Sequence, residues 1–211
     1  MSVGFPVVLR LTGRRCLVVG GGAVATRRIV GLTRSGAEVV VIAPDVTPEI
    51  EGLVATGGVS LEQRPFQPSD LDGVFMAMAA TDSPLVNRTV AEAAAERGVL
   101  VTVADDSATS DFSVPALVRR RGITLAVSTG GRSPAFARHL REQLDAWLTD
   151  ARCTLLELAT ELRRDVRAAG RTVDPDAWQR AIDDDRVANA IAAGDRQGAR
   201  RRLFEMLMAG R

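Results

Sequence analysis

Lysine and tyrosine are absent from the 211 residues, and histidine occurs once, at His139. Without lysine there is no Schiff-base chemistry and no P-loop lysine, and without either residue no Tyr–Lys dehydrogenase pair. A single histidine cannot build a His-rich metal site, so His139, flanked by leucine and arginine in a helical stretch, reads as structural and no resident metal is expected. The two cysteines, Cys16 and Cys153, lie far apart without a CxxC spacing and read as buried free thiols in a reducing cytoplasm. No apolar run approaches the roughly eighteen residues of a membrane-spanning helix. The opening MSVGFPVVLRLTGRR lacks the basic start and long apolar stretch of a signal peptide, so a cytoplasmic protein is expected. A net charge of +1 argues against a nucleic-acid partner for the molecule as a whole.

What is present is an ordinary globular composition, 46% hydrophobic and 25% charged, in a chain long enough to bury a core without staples. Charge is unevenly spread: −4 over residues 1–115, +3 over 116–150 and +2 over 151–211. The first part alternates strand and helix. Apolar β-rich runs at 15–20, 37–43, 73–79 and 99–104, with a weaker one at 59–63, alternate with helical spacing at 24–35, 48–56 and 85–97. Repeated βα units imply a Rossmann-like, doubly wound parallel sheet. Two strand-like runs, 112–119 and 123–128, then follow with only Arg120-Arg121-Gly122 between them, which is the pattern of a hairpin. Ser133-Pro134 opens a helix to about Leu148, and beyond Asp150 everything reads helical, with breaks near Gly170, Pro175 and Gly194. The expected organisation is α/β: a nucleotide-binding domain over 1–113, a hairpin-plus-helix segment over 114–149 and a small helical domain over 150–211.

Gly20-Gly21-Gly22-Ala23-Val24-Ala25 fits G-x-G-x-x-A and lies between the first strand and first helix. Gly20 permits the tight turn, Gly22 admits a pyrophosphate close to the backbone, and Ala25 lets helix and strand pack closely. The first N–H groups of the helix then face the phosphates. The acid that usually ends the second strand comes late here, after Pro44, as Asp45. Either Asp45 or the Pro44-Asp45 backbone would hold the ribose, or Asp45 is simply a turn residue. The nearest following arginine is Arg64, which favours NAD over a 2′-phosphorylated cofactor.

Ligands of open α/β sheets bind outside the carboxyl ends of the strands. With strand order 3-2-1-4-5, the glycine loop, Ala80-Thr81-Asp82 and Asp105-Asp106 become neighbours. Thr81 and Asp82 either face a cofactor or cap the next helix; the paired carboxylates form either an acidic turn or a proton acceptor, for which Asp105 is the candidate. A second loop, Ser128-Thr129-Gly130-Gly131-Arg132-Ser133-Pro134, presents small residues and a helix start beside Arg132, Arg138 and Arg141, with Arg119 to Arg121 on the hairpin tip. That suits a ligand with several carboxylates, although any one of these arginines could be merely solvated.

Taken together, CLVVGGGAVA (16–25), Arg27-Arg28, Gly36-Ala37, AATD (79–82), Asn87, VADD (103–106), Phe112, Pro115-Ala116 and AVSTGGRSP (126–134) resemble precorrin-2 dehydrogenase, the N-terminal module of sirohaem synthases. The likeness runs through residues 5–150. It implies NAD-dependent oxidation of precorrin-2, a tetrapyrrole rich in carboxylates, to sirohydrochlorin, followed in some members by ferrous iron insertion to give sirohaem. It places cofactor contacts on the glycine loop, including Ala23 and Val24, and on Pro44 and Asp45, and the important aspartate at Asp105. Together with the reading of the residues above, the candidate cofactor contacts are Gly20, Gly22, Ala23, Val24, Ala25, Pro44, Asp45 and Thr81, and the candidate substrate contacts are Ser128, Thr129, Gly130, Arg132 and Ser133. Thr102 stands where the family has asparagine. The resemblance also implies a homodimer in which the hairpin and following helix are exchanged. The competing reading is an NAD-binding regulatory sensor that never turns over; it would have no need of the STGGRSP segment. A hydroxy-acid dehydrogenase on the same sheet would need a catalytic His or Lys, for which only His139 is available.

Overall fold

The computed structural model describes residues 4–209, which form two compact units divided between Val114 and Pro115. The first unit contains β1 (Arg15–Val19), α1 (Ala23–Thr33), β2 (Glu38–Ile42), α2 (Pro48–Ala55), β3 (Ser60–Glu62), a 3-10 turn (Pro68–Leu71), β4 (Met76–Ala79), α3 (Pro84–Arg97) and β5 (Leu100–Val103). All five strands run parallel in the order β3-β2-β1-β4-β5. The register pairs Val19 with both Ile42 and Ala79, and Ala79 with Val103, so four strands end in one row. The loops that follow therefore leave from a common rim.

The near-continuous apolar strands have two faces to bury. Leu17, Val19, Ala77, Ala79, Val101 and Val103 pack with α3 residues such as Val90 and Ala94. Cys16, Val18, Met76 and Met78 pack on the other face with Ile29 and Leu32 of α1 and Ile50 of α2. Burial pushes the Cys16 thiol up to about 11, which keeps it protonated and inert. β4 begins at Met76 rather than Gly73, because Gly73 turns with a φ of +72°. Beyond β5 the chain folds back and seals that sheet edge with side chains: the Val101 N–H donates to Asp111 Oδ2 at 2.9 Å and the Val103 N–H to Ser110 Oγ at 2.9 Å.

Asp70 ties down the 3-10 turn. Its carboxylate accepts from the Gln67 N–H at 2.8 Å and from both Nη groups of Arg64, at 2.9 and 2.6 Å. The Arg64 bonds hold its pKa below the ordinary aspartate value. A depressed carboxylate contributes stability above its unfolded pKa of about 3.9 and loses it as pH falls through the folded value. Asp70→Asn is therefore expected to melt below wild type at neutral pH, with the gap narrowing as pH falls below about 4; calorimetry over that range checks it.

The second unit opens with β6 (Ala116–Arg120) and β7 (Ile123–Val127), paired antiparallel. β6 starts after Pro115, four residues later than its apolar pattern suggests. Arg121 and Gly122 both have positive φ, 44° and 84°, the geometry of a two-residue hairpin turn that follows the twist of the strands. The helices are α4 (Pro134–Trp147), α5 (Asp150–Ala168), α6 (Pro175–Ile182), α7 (Asp185–Ala192) and α8 (Arg196–Met208). Val118, Leu148 and Cys153 form one small core under the hairpin; Leu158, Leu162, Val187 and Leu203 centre another among α5 to α8. The break between α6 and α7, unmarked by glycine or proline, is made by Asp184, whose carboxylate caps α7 by accepting from the N–H groups of Arg186 and Val187. Among the described residues no helix is long and apolar enough to cross a membrane.

Candidate cofactor-binding and active site

The glycine loop occupies the middle of the rim. Gly20 has a φ of 121°, and a Cβ there would lie 2.3 Å from the Ala80 carbonyl oxygen at the end of β4. A Cβ on Gly21 would lie 1.9 Å from the Asp45 carbonyl oxygen. Sequence reasoning missed Gly21, because its constraint comes from a distant loop. A Cβ on Gly22 would meet nothing within 4 Å. Thus two glycines are required by the protein itself, and the third borders open space. Gly22 is also the N-cap of α1 and provides no capping side chain, and the first turn contains no acid. Its free N–H groups and the positive end of the helix dipole suit a pyrophosphate, so the residues present fit a dinucleotide.

The exit from β2 is stitched to this loop. The Thr47 N–H donates to the Gly21 carbonyl at 3.0 Å, and the Thr47 and Thr26 hydroxyls bond at 3.0 Å. Pro44 and Asp45 are held there, exposed, beside the glycines. Arg64 is committed to Asp70 and Glu62.

At the β4 exit, Thr81 proves to be locked into its own loop. Its N–H and hydroxyl reach Asn87 Oδ1 at 3.1 and 2.8 Å, its carbonyl accepts from Asn87 Nδ2 at 3.0 Å, and its hydroxyl accepts from the Ser83 N–H at 3.2 Å. Buried Asn87 is thus the clamp that shapes this part of the rim. The cap of α3 is Ser83, whose Oγ accepts from the Val86 N–H; Asp82 stays exposed and is not the cap.

The two carboxylates after β5 separate in role. Asp106 Oδ1 accepts from the N–H groups of Ala108 and Thr109 at 3.0 and 3.3 Å, and its carbonyl accepts from Ser110 Oγ at 2.6 Å. The hydrogen bond from Thr109, aided by Ala108, holds the Asp106 pKa below the ordinary value. Asp106 organises the turn. Asp105 is exposed, in the left-handed region at a φ of 61°, and its carboxylate makes no hydrogen bond among the described residues. Such backbone settings cluster at functional sites. Thr102, buried in β5, reaches none of this.

In the second unit, the 128–134 loop is self-bonded. The Gly130 N–H donates to Ser128 Oγ at 3.2 Å, the Ser133 N–H to Thr129 Oγ1 at 3.3 Å, and Arg132 Nε to the Thr129 carbonyl at 3.0 Å. Ser133 caps α4 through the Phe136 N–H at 3.2 Å. Gly130 and Gly131 turn with φ of 60° and 76°. Arg120 and Arg121 of the hairpin are paired with Asp145 and Glu157 rather than left free for a ligand. His139 is exposed on α4, near the Phe136 ring.

Residues 7–116 match the family model described as "Putative NAD(P)-binding". The chain belongs to this NAD(P)-binding family. Residues 120–146 match a second model, "Sirohaem biosynthesis protein central". Among curated relatives, a siroheme synthase of Chromobacterium violaceum is 37% identical over 98% of this chain and 44% of its own length. Siroheme synthase 2 of Klebsiella pneumoniae is 38% identical over 91% of this chain and 42% of its own. The chain thus spans less than half the length of these relatives. Among solved structures, SirC, a precorrin-2 dehydrogenase, aligns with a TM-score of 0.74 at 27% identity, over 98% of this chain and all of that one.

Proposed function

We propose that the protein oxidises precorrin-2 to sirohydrochlorin with NAD, in sirohaem biosynthesis. The observation that carries this reading is the rim itself, where an uncapped helix start follows β1 and the unbonded carboxylate of Asp105 follows β5, two parallel strands with β4 between them. Similarity to siroheme synthases along nearly the whole chain, and to SirC in fold, supports the choice of substrate.

The α1 N–H groups of Ala23, Val24 and Ala25 bind the pyrophosphate that Gly22 admits. Pro44 and Asp45 hold the adenosine ribose, and the Asp45 carboxylate disfavours a 2′-phosphate. Thr81 shapes the cofactor's bed through its backbone, since Asn87 and Ser83 occupy its polar groups. Bound NAD supplies a hydride acceptor. The substrate loses a hydride and a proton, and Asp105 accepts that proton before passing it to water. Ser128, Thr129, Gly130, Arg132 and Ser133 receive substrate carboxylates, through loop N–H groups and the Arg132 guanidinium. Ferrous iron is a second substrate: the same Asp105 carboxylate is suited to removing pyrrole protons as iron enters sirohydrochlorin.

Two buried free cysteines agree with a reducing, cytoplasmic setting. The protein acts as a homodimer. α4 exposes Phe136 and Trp147 at 54% and 51%, apolar surface that a second copy would cover. Phe136→Asp is expected to halve the mass measured by light scattering; an unchanged dimer would remove α4 from the interface.

The direct test is anaerobic incubation of the purified protein with precorrin-2 and NAD. Equal amounts of NADH and sirohydrochlorin are expected, and subsequent Fe²⁺ should convert the latter to sirohaem. Tight NAD binding without reduction would favour a nucleotide sensor.

A further inference from the structure

Asn87 is a polar residue on an apolar face. It lies on α3 one turn before Val90 and Ala91 and two turns before Ala94, all buried in the layer that α3 shares with the sheet, and it is itself only 8% exposed. A buried amide is costly unless its polar groups are bonded, and a leucine would fill the position without that cost. Asn87 spends its amide on a single residue. Oδ1 accepts from the Thr81 N–H at 3.1 Å and from the Thr81 hydroxyl at 2.8 Å, and Nδ2 donates to the Thr81 carbonyl at 3.0 Å.

The peptide held in this way is the one that Gly20 packs against. A peptide group is planar and trans, so a bond that fixes the Thr81 N–H in one direction fixes the Ala80 carbonyl in the opposite one. That carbonyl faces Gly20: a Cβ on Gly20 would collide with the Ala80 carbonyl oxygen and lie 3.1 Å from the Thr81 nitrogen. The Ala80 N–H donates to the Val19 carbonyl at 2.8 Å, which ties the near side of the same peptide to β1. Gly20 in turn opens the phosphate-binding loop, with its N–H on the Ile42 carbonyl at 3.0 Å and its φ at 121°. A direct chain of contacts therefore runs from α3, through one peptide, to the first glycine of the cofactor loop. No link in it needs the Asn87 side chain to reach a ligand.

We propose that Asn87 is a positioning residue for the dinucleotide: it holds the Ala80–Thr81 peptide as the wall that sets Gly20, and through Gly20 the N–H groups that receive the pyrophosphate. This rests on the reading of cofactor and reaction given above, and adds to it a residue that acts from behind the rim. Without the clamp the peptide can turn about its flanking bonds, and the ligand must then order the loop that the protein had already ordered. Lost preorganisation of that kind appears as weaker binding.

The test uses the full chain with Asn87→Ala, Asn87→Leu, Asn87→Asp and, as a control on the exposed side of α3, Thr89→Ala. Asn87→Leu fills the space without making either bond, and serves where the cavity left by alanine prevents folding. The readouts are Kd for NAD and for ADP-ribose, which carries the pyrophosphate but no nicotinamide, together with KM and kcat for precorrin-2 and the melting temperature. In Asn87→Ala and Asn87→Leu the two Kd values should rise alike, by about tenfold. With NAD saturating, kcat and the KM for precorrin-2 should stay within about threefold of wild type. A residue that served stability alone would lower the melting temperature and leave both Kd values where they were. Asn87→Asp keeps the acceptor for the Thr81 N–H and should bind NAD more tightly than Asn87→Ala or Asn87→Leu, while Thr89→Ala should match wild type. Unchanged Kd values in a folded Asn87→Ala or Asn87→Leu, with wild-type turnover normal, would overturn the positioning role and leave the dehydrogenase reading intact. Weaker NAD binding with ADP-ribose unaffected would overturn the route through Gly20. Asn87-dependent binding of both ligands in a protein that never oxidises precorrin-2 would uphold the positioning role and remove the dehydrogenase reading.

Discussion

Asp105→Asn is expected to lower kcat for precorrin-2 oxidation by about 10²- to 10⁴-fold, the usual range for losing a positioned general base, while NAD affinity stays within about twofold. Asparagine is the informative replacement because it tolerates the left-handed backbone at this position, φ 61°, and preserves the side-chain shape. The capacity to take a proton is removed together with the negative charge. Asp106→Asn provides the contrast. Its carboxylate is consumed by the N–H groups of Ala108 and Thr109, so weakening it should loosen the turn, with a milder loss of turnover accompanied by a lower melting temperature. Steady-state kinetics and calorimetry on the pair separate the two roles. Equal kinetic effects without any thermal difference would show that the neighbouring carboxylates do not divide the work in this way.

The glycine loop should split along a different line. Gly20→Ala forces a side chain into a φ of 121° and places its Cβ 2.3 Å from the Ala80 carbonyl oxygen, a backbone atom that cannot swing aside. Strain of about 1–3 kcal/mol and overpacking of similar size predict a loss of roughly 4 kcal/mol, or about 8–16 °C in Tm. Gly22→Ala meets no atom within 4 Å and keeps an ordinary φ of −83°. It should melt within about 3 °C of wild type, since an alanine N-cap costs only about 1 kcal/mol. Yet it should bind NAD at least about tenfold more weakly, because the methyl group enters the space the pyrophosphate needs. A normal NAD Kd in Gly22→Ala would move the cofactor away from the start of α1.

The sheet was legible because its information is local. Apolar runs such as Val39–Ile42 and the stops at Gly36 and Gly98 announce strands and helix ends by composition alone, and the 3-2-1-4-5 order is one of those that right-handed crossovers permit. What stayed hidden is set by partners distant in sequence. Gly21 is required by Asp45; Thr81 is engaged by Asn87; and the open edge of β5 is sealed by Asp111, ten residues on. The α6–α7 break depends on a carboxylate capping its own downstream backbone, a role that one aspartate among Asp183, Asp184 and Asp185 does not advertise. Of the candidate site, the sequence offered the Gly20–Ala25 loop directly and Asp105 only as one of an acidic pair. The division between Asp105 and Asp106 required the hydrogen bonds.

The proposed reaction requires that hydride pass to NAD on this rim. Precorrin-2 carrying deuterium at the saturated carbon that loses hydrogen, turned over anaerobically with NAD and then analysed by mass spectrometry, tests it most directly. The deuterium should appear in the reduced nicotinamide, in amount equal to the sirohydrochlorin formed. Deuterium lost to solvent, or sirohydrochlorin formed at the same rate without NAD, would contradict the claim.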